Sequence, residues 1–167
     1  ILGERENWSN MRPDPPDVSI VIPVKDERDT LVPLYEKIRD TLDPLGERFE
    51  VIFIDDGSTD GSFEVMRDLY EKDARVRVLR FRVNHGKSPA LAAGFDNARG
   101  KIILTIDADL QDDPAEIPRL LEKLGEGFDL VSGWKKERQD PISKKIFSKV
   151  FNRVVSMASG IPLHDFN

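Results

Sequence analysis

The stretch VSIVIPV, Val18 to Val24, carries no charge and is built mainly from β-branched residues. A continuous run of that kind suits a strand buried on both faces, which needs other structure layered above and below it. The next segment supplies such a layer. Leu31, Leu34, Tyr35, Ile38 and Leu42 recur at spacings of three and four, with Asp29 and Thr30 ahead of them as caps. The alternation then repeats. FEVIFIDDGS reads as a second buried strand ending in a turn, and Phe63, Val65, Met66, Leu69 and Tyr70 mark a second helix that Asp60 is placed to cap. VRVLRF, Val76 to Phe81, alternates and so reads as a strand nearer an edge. Ser88 to Arg99 reads as a helix rich in small residues, able to pack closely on a sheet. KIILTIDAD is a fourth strand, Pro114 opens a helix through Ile117, Leu120, Leu121 and Leu124, and FDLVSGW is a last short strand. Strands alternating with helices mean βαβ units, hence an α/β fold with a mostly parallel sheet, and right-handed crossovers place helices on both faces.

A chain of 167 residues suffices for one domain with a real core and is short for two. With 39% hydrophobic and 34% charged residues the composition is that of an ordinary globular protein. A net charge of −6 argues against a general nucleic-acid binder, which needs a basic face. The absence of cysteine excludes disulfides and thiolate-bound zinc. With only two histidines, any metal is expected to be a hard cation held by oxygens. No apolar run approaches the roughly 20 residues needed to cross a bilayer, and no signal peptide is seen. Residues 1–17, with RPDPPD, read as an extended lead-in. Because the sequence starts at Ile1 and stops at Asn167 within polar sequence, it is expected to be a piece of something longer.

Ligands in open parallel sheets bind at the carboxyl ends of strands. Three of the four main strands end there in polar or acidic clusters: Lys25-Asp26-Glu27, Asp55-Asp56, and Asp107 to Asp113. No G-x-G-x-x-G follows the first strand and no P-loop is present, so a glycine loop does not cradle phosphates. A polyphosphate in an acidic cleft then calls for a bridging Mg²⁺ or Mn²⁺, which takes one or two protein carboxylates and fills its other positions with phosphate oxygens and water. Asp107 and Asp109 suit that task, because alternation along a strand puts both on the same side. The plain alternative for these acids is a solvated strand end with helix caps, preferred for Asp112 and Asp113, which precede Pro114. It is weaker for Asp107, whose neighbours are apolar, since a buried unpaired carboxylate is expensive.

Taken together and in order, VSIVIPVKDE, VIFIDDGSTDGS, NHGKSPALAAGFDNARG and IILTIDADLQDDP resemble family 2 glycosyltransferases. Within that family the likeness is to the dolichol-phosphate mannosyltransferase and polyprenyl-phosphate glycosyltransferase branch, to which the Leu-Gln after Asp109 narrows it. The resemblance implies a glycosyltransferase A-type nucleotide-diphospho-sugar domain over residues 18–167, incomplete at its C-terminus, that transfers a hexose with inversion. It implies that Pro23, Lys25 and Glu27 line the base and ribose, that Asp55 contacts the base, and that Asp107 and Ala108 touch the nucleotide. Asp109 and Gln111 would hold Mg²⁺ or Mn²⁺ on the diphosphate and so act as the catalytic pair. Lys25 and Asp26 stand where the family's common Pro-x-Tyr-Asn-Glu has an aromatic and an amide, so the stacking platform for a base is missing and the nucleotide stays unassigned.

A polyprenyl phosphate acceptor is already an anionic nucleophile and needs no general base, which agrees with the lack of a histidine–carboxylate pair. It does need cations. GWKKER supplies Lys135, Lys136 and Arg138, with Lys135 where relatives commonly have an arginine, and NHGKS supplies Lys87; each reads equally as a solvated loop residue. His85 reads as a loop residue, and Asp165 in HDFN is a further site candidate. In ISKKIFSKVFNRVVSMAS an apolar stripe from Ile142 to Ala158 faces away from Lys145, Lys149 and Arg153. Such a helix packs on its own domain, lies on an anionic membrane surface, or makes a dimer contact. The expected location is peripheral, at the cytoplasmic face of the membrane. Two other functions stay open: a transferase using a saccharide hydroxyl in polysaccharide synthesis, and a catalytically idle nucleotide-binding module.

Overall fold

The β-branched run at residues 18–24 does form a strand with both faces covered, β1 (Val18–Val24), and all but one of its residues are buried. The computed structural model describes residues 15–133 of the chain. β2 (Phe49–Asp55) is buried along its whole length. β3 (Val76–Arg80) and β4 (Ile102–Thr105) are only partly covered. The four strands are parallel in the order β3-β2-β1-β4. The alternating pattern of β3 thus corresponds to an edge position, as expected.

Four helices connect and cover the strands: α1 (Leu31–Leu42), α2 (Ser62–Lys72), α3 (Lys87–Asn97) and α4 (Ile117–Gly125), the last entered through a 3₁₀ turn at Pro114–Glu116. All these elements lie within the unit that ends at Leu130. One core cluster packs Ile20, Ile22 and Val24 of β1 and Phe53 of β2 against Leu34, Ile38, Met66 and Ile117 of the helices. The opposite face is thinner, with Val21, Ile52 and Ile54 meeting Ala90 of α3. Helices therefore cover both faces. At Gly94 of α3 a Cβ would come within 3.0 Å of Ile54 Cδ1 and still nearer Val21 Cγ1, so the small residues let this helix sit almost on the strands.

Several local expectations need correction. The fourth strand stops at Thr105, not Asp109, so Asp107 and Asp109 occupy a turn and strand alternation does not explain why they share a face. Residues 128–133 of FDLVSGW form no strand. A strand needs a partner for its ladder, and none among the described residues pairs with them; Leu130 is 84% exposed. Thr30 is the N-cap of α1, but its hydroxyl donates back to Glu27 O (2.8 Å) and does not cap the helix. Tyr70 faces outward from α2. Asp60 accepts from Ser62 N at 2.9 Å and so serves the start of α2 as expected, although Gly61 is the N-cap residue. The lead-in up to residue 14, the basic loop and the apolar stripe from Ile142 fall outside the described residues.

Candidate active site

The strand order places the site. β1 leads through α1 to β2 on one side, whereas β4, on the other side of β1, is reached through α3 on the opposite face, so the strand order reverses between β1 and β4 and a crevice opens at their carboxyl ends. β1 runs to Val24 in register with Asp55 of β2, whereas β4 ends at Thr105, level with Val21. The chain beyond Thr105 continues beside β1, with Ile106 N donating to Val21 O at 3.2 Å. A cleft of about 220 Å³ results, lined by Pro23, Val24, Lys25 and Glu27 from the first strand end, Asp107, Ala108 and Asp109 from the fourth, and Asp56, Lys87 and Ala90 between them. Seven of the sequence candidates, Pro23, Lys25, Glu27, Lys87, Asp107, Ala108 and Asp109, thus share one cavity.

The floor of the cleft is stitched together by side chains reaching main-chain amides. Ser58 Oγ accepts from Asp26 N (3.0 Å), Ser62 Oγ from Glu27 N (2.9 Å), and Asp60 Oδ2 from Arg28 N (3.0 Å), which ties the loop after β1 to the loop after β2. Asp26 closes the loop from the other side, accepting from Thr59 N at 2.7 Å. Its φ of +56° is a left-handed conformation that Asp tolerates better than bulkier residues. The Lys25 ammonium beside it, together with the Thr59 amide, holds the Asp26 carboxyl below its ordinary range. Lys25 Nζ also donates to Gly57 O at 3.0 Å, so its charge is directed along the cleft wall.

The acidic turn after β4 is held under tension. Leu110 has φ +62°, a conformation that a bulky residue adopts at a cost of roughly 1–2 kcal/mol, and it packs against the main core cluster. Asp109 Oδ1 accepts from Gln111 N at 3.0 Å, and Asp112 Oδ2 from Asp107 N at 3.2 Å. Asp113 accepts from Ala115 N and caps the following turn, as expected; Asp112 serves the turn itself. Gln111 is exposed and does not line the cleft; its main chain, not its amide group, is what meets Asp109.

Lys87 Nζ lies 2.6 Å and 2.8 Å from the two oxygens of Asp107, so a cation already spans the acidic end of the cleft. Asp55, also a sequence candidate, is fully buried and does not line the cleft. Its Oδ1 accepts from Ser58 N (2.8 Å); Arg80 Nε is 3.2 Å from Oδ2 but is not aligned to donate, and Oδ2 has no hydrogen bond. The Arg80 guanidinium supplies the countercharge for this buried oxygen. Among the described residues no three His, Asp or Glu side chains converge, so no all-protein metal cage exists there. Asp107 and Asp109 in one solvent-accessible cleft do fit the other type of site, in which Mg²⁺ or Mn²⁺ takes one or two carboxylates and completes its shell from a diphosphate and water. Sequence reasoning missed Asp56, a buried carboxylate in the cleft wall; nothing in the DDGS string separates its role from that of Asp55. Lys135, Lys136, Arg138 and Asp165 lie outside the described residues.

Comparison with known proteins agrees with this architecture. Residues 19–158 match the model of glycosyl transferase family 2. The undecaprenyl-phosphate 4-deoxy-4-formamido-L-arabinose transferase of Aeromonas hydrophila is 43% identical over 151 residues, 89% of this chain and 46% of that protein. Its counterpart in Pseudomonas aeruginosa is 40% identical over 159 residues, 93% and 47% of the two chains. The chain thus spans a little under half the length of these relatives. Among solved structures, a mannosyltransferase from Pyrobaculum calidifontis in complex with GDP-Man and Mn²⁺ superposes with a TM-score of 0.51 at 26% identity, covering 57% of this chain and 28% of that one. S. aureus TarS in complex with UDP superposes at 0.57 and 19% identity over 72% and 40% of the two chains, a likeness of fold. The sheet is that of the glycosyltransferase A-type fold, and the chain belongs to glycosyl transferase family 2.

Proposed function

We propose that this chain forms the donor-binding part of an inverting glycosyltransferase that moves a sugar from a nucleoside diphosphate to a polyprenyl phosphate. The observation that carries the reading is the cleft itself, in which Asp107, Asp109 and Lys87 meet. In this reading Pro23, Lys25 and Glu27 flank the base and ribose, and Asp55 contacts the base. Asp107 and Ala108 contact the nucleotide, and Lys87 transfers its charge from Asp107 to the diphosphate. Asp109, with Gln111 beside it, would hold Mg²⁺ or Mn²⁺, which would offset the charge that develops on the leaving diphosphate. The names of the Aeromonas and Pseudomonas relatives support undecaprenyl phosphate or a similar lipid as acceptor, and the GDP-Man and Mn²⁺ of the archaeal structure support the donor and the metal.

An anionic lipid phosphate attacks the anomeric carbon without first losing a proton, so the chain's own work is to orient the donor and neutralise charge. Lys135, Lys136, Arg138 and Asp165 are assigned to the acceptor side. No helix among the described residues is long and apolar enough to cross a membrane; the reading places the domain peripherally on the cytoplasmic membrane face, where a lipid-linked acceptor is presented. A thermal-shift panel of UDP, GDP, CDP and dTDP with and without Mn²⁺ tests the donor half. A ligand that binds only the folded state raises Tm, so one diphosphate is expected to do so in a Mn²⁺-dependent manner, and Asp109→Ala to remove the Mn²⁺ dependence. No shift with any diphosphate would defeat the proposal.

A further inference from the structure

Asp56 is a charged side chain that the scheme above does not use, and it is only 4% exposed. A buried carboxylate is retained when specific hydrogen bonds satisfy it. Both its oxygens are occupied by consecutive main-chain amides, His85 N at 2.7 Å and Gly86 N at 2.8 Å. Its own amide is fixed to the sheet through Val24 O at 2.9 Å. Those two amides belong to the residues immediately before α3, whose first residue is Lys87. The loop is also pressed on the strand end, because a Cβ at Gly57 would lie 2.8 Å from Val83 C and 2.9 Å from Asn84 N. Asn84 Oδ1 shares the Gly86 amide at 2.9 Å.

We propose that Asp56 is a positioning residue: by clamping the His85 and Gly86 amides it fixes the start of α3 so that the Lys87 ammonium stands over the acidic end of the cleft, ready to receive a diphosphate. The proposal rests on the donor reading above. Lys87 is long and 58% exposed at its side chain, and a flexible ammonium loses entropy on binding unless its main chain is already placed. Asp56 supplies that placement without touching the ligand's charge, since both its oxygens face the protein's own amides.

Calorimetric titration of the full chain with UDP, GDP, CDP and dTDP and with the nucleoside of each, all in Mg²⁺, tests this. Asp56→Asn puts an amide donor against one of the two main-chain donors. It is expected to weaken the diphosphate that binds by about fivefold to tenfold and its nucleoside by less than about twofold. In a Lys87→Met background, already weakened for the diphosphate, adding Asp56→Asn is expected to change affinity by less than about twofold, because a residue acting through Lys87 has nothing left to act on. Equal losses in both backgrounds, or equal losses for nucleoside and diphosphate, would overturn the inference and leave Asp56 a purely structural group. Should Asp56→Asn fail to fold, Asn84→Ala, at an exposed position, loosens the same loop; a loss of about twofold for the diphosphate, absent beside Lys87→Met, is expected, and unchanged affinity counts against the clamp. If none of UDP, GDP, CDP and dTDP binds the unaltered chain, the donor reading itself fails, a result distinct from those above.

Discussion

The two ends of the sheet treat carboxylates in opposite ways. At the amino end Glu50, the second residue of β2, is 1% exposed and fully engaged: Ser19 Oγ (2.7 Å) and Arg99 N (2.8 Å) donate to Oε1, and Arg99 Nη2 (2.7 Å) and Arg77 Nη1 (3.3 Å) to Oε2. Burial works against its charge, but the Arg99 and Ser19 hydrogen bonds outweigh it, and the carboxyl sits below its ordinary range. At the carboxyl end Asp55 and Asp56 are likewise engaged by the protein itself, but Asp109 is exposed, and Asp107 has a lysine that is itself more than half exposed. Glu50 therefore belongs to the fold, joining three strands and the start of a fourth. Asp107 and Asp109 of the cleft instead face an exposed lysine and a main-chain amide and stay open to solvent, which is the condition for binding something else.

The contrast can be broken most sharply at the amino end. Glu50→Gln leaves Arg99 and Arg77 facing an uncharged group and is expected to destabilise the chain by about 2–4 kcal/mol in urea denaturation, with nucleoside diphosphate affinity unchanged in the folded fraction. Asp55→Asn, at the other end of the same strand, is expected to touch binding as well as stability. Calorimetry should show binding weakened by about tenfold, and the urea midpoint should fall less than for Glu50→Gln, because Asp55 pairs with one arginine, Arg80, and Glu50 with two.

A smaller effect is expected from pH. The Arg75 hydrogen bond holds the Asp73 carboxyl well below its ordinary 3.8, and Glu50 is held below its 4.5. A depressed folded value means the unfolded chain binds protons first as pH falls. The stability these groups contribute is therefore present above about pH 5 and is expected to drain away as the medium is acidified below about pH 4 in thermal melts. Burial first, then the Asp73 carboxylate, pushes the Tyr35 hydroxyl up to about 12, so its share of stability is expected to be lost at the alkaline end, between about pH 10 and 12. The smallest effect should come from the exposed pair Arg67 and Glu71 on α2, 3.9 Å apart; Glu71→Gln is expected to move the urea midpoint by an amount equivalent to less than about 0.5 kcal/mol.

Much of this architecture was legible in the sequence where burial is continuous. β1 and β2 are apolar throughout because both faces are covered, and α1 shows its buried face, Leu31 to Leu42, at the helical period. Legibility failed where tertiary context decides. KIILTIDAD keeps a strand-like pattern to Asp109, but the chain leaves the ladder after Thr105 and turns through Leu110, whose left-handed backbone no propensity would suggest. FDLVSGW is equally strand-like, yet residues 128–133 have no neighbour to pair with among the described residues. At the site, the acidic pattern located Asp107 and Asp109, since charge crowding at a strand end is visible without coordinates. Lys87 is visible as a candidate cation in NHGKS, but its pairing with Asp107, 20 residues away, and the part of Asp56, working through main-chain amides, depend on how loops meet, and sequence spacing carries no record of that.

The most direct test is calorimetric titration of the diphosphate that binds, with and without Mn²⁺, to the unaltered chain, Asp109→Asn and Glu50→Gln. If the cleft carboxylates are held for a donor diphosphate and its metal, Asp109→Asn should lose the Mn²⁺-dependent gain in affinity at an unchanged melting temperature, and Glu50→Gln should keep that gain while melting lower. Retention of the full Mn²⁺-dependent gain by Asp109→Asn would contradict the assignment of the site.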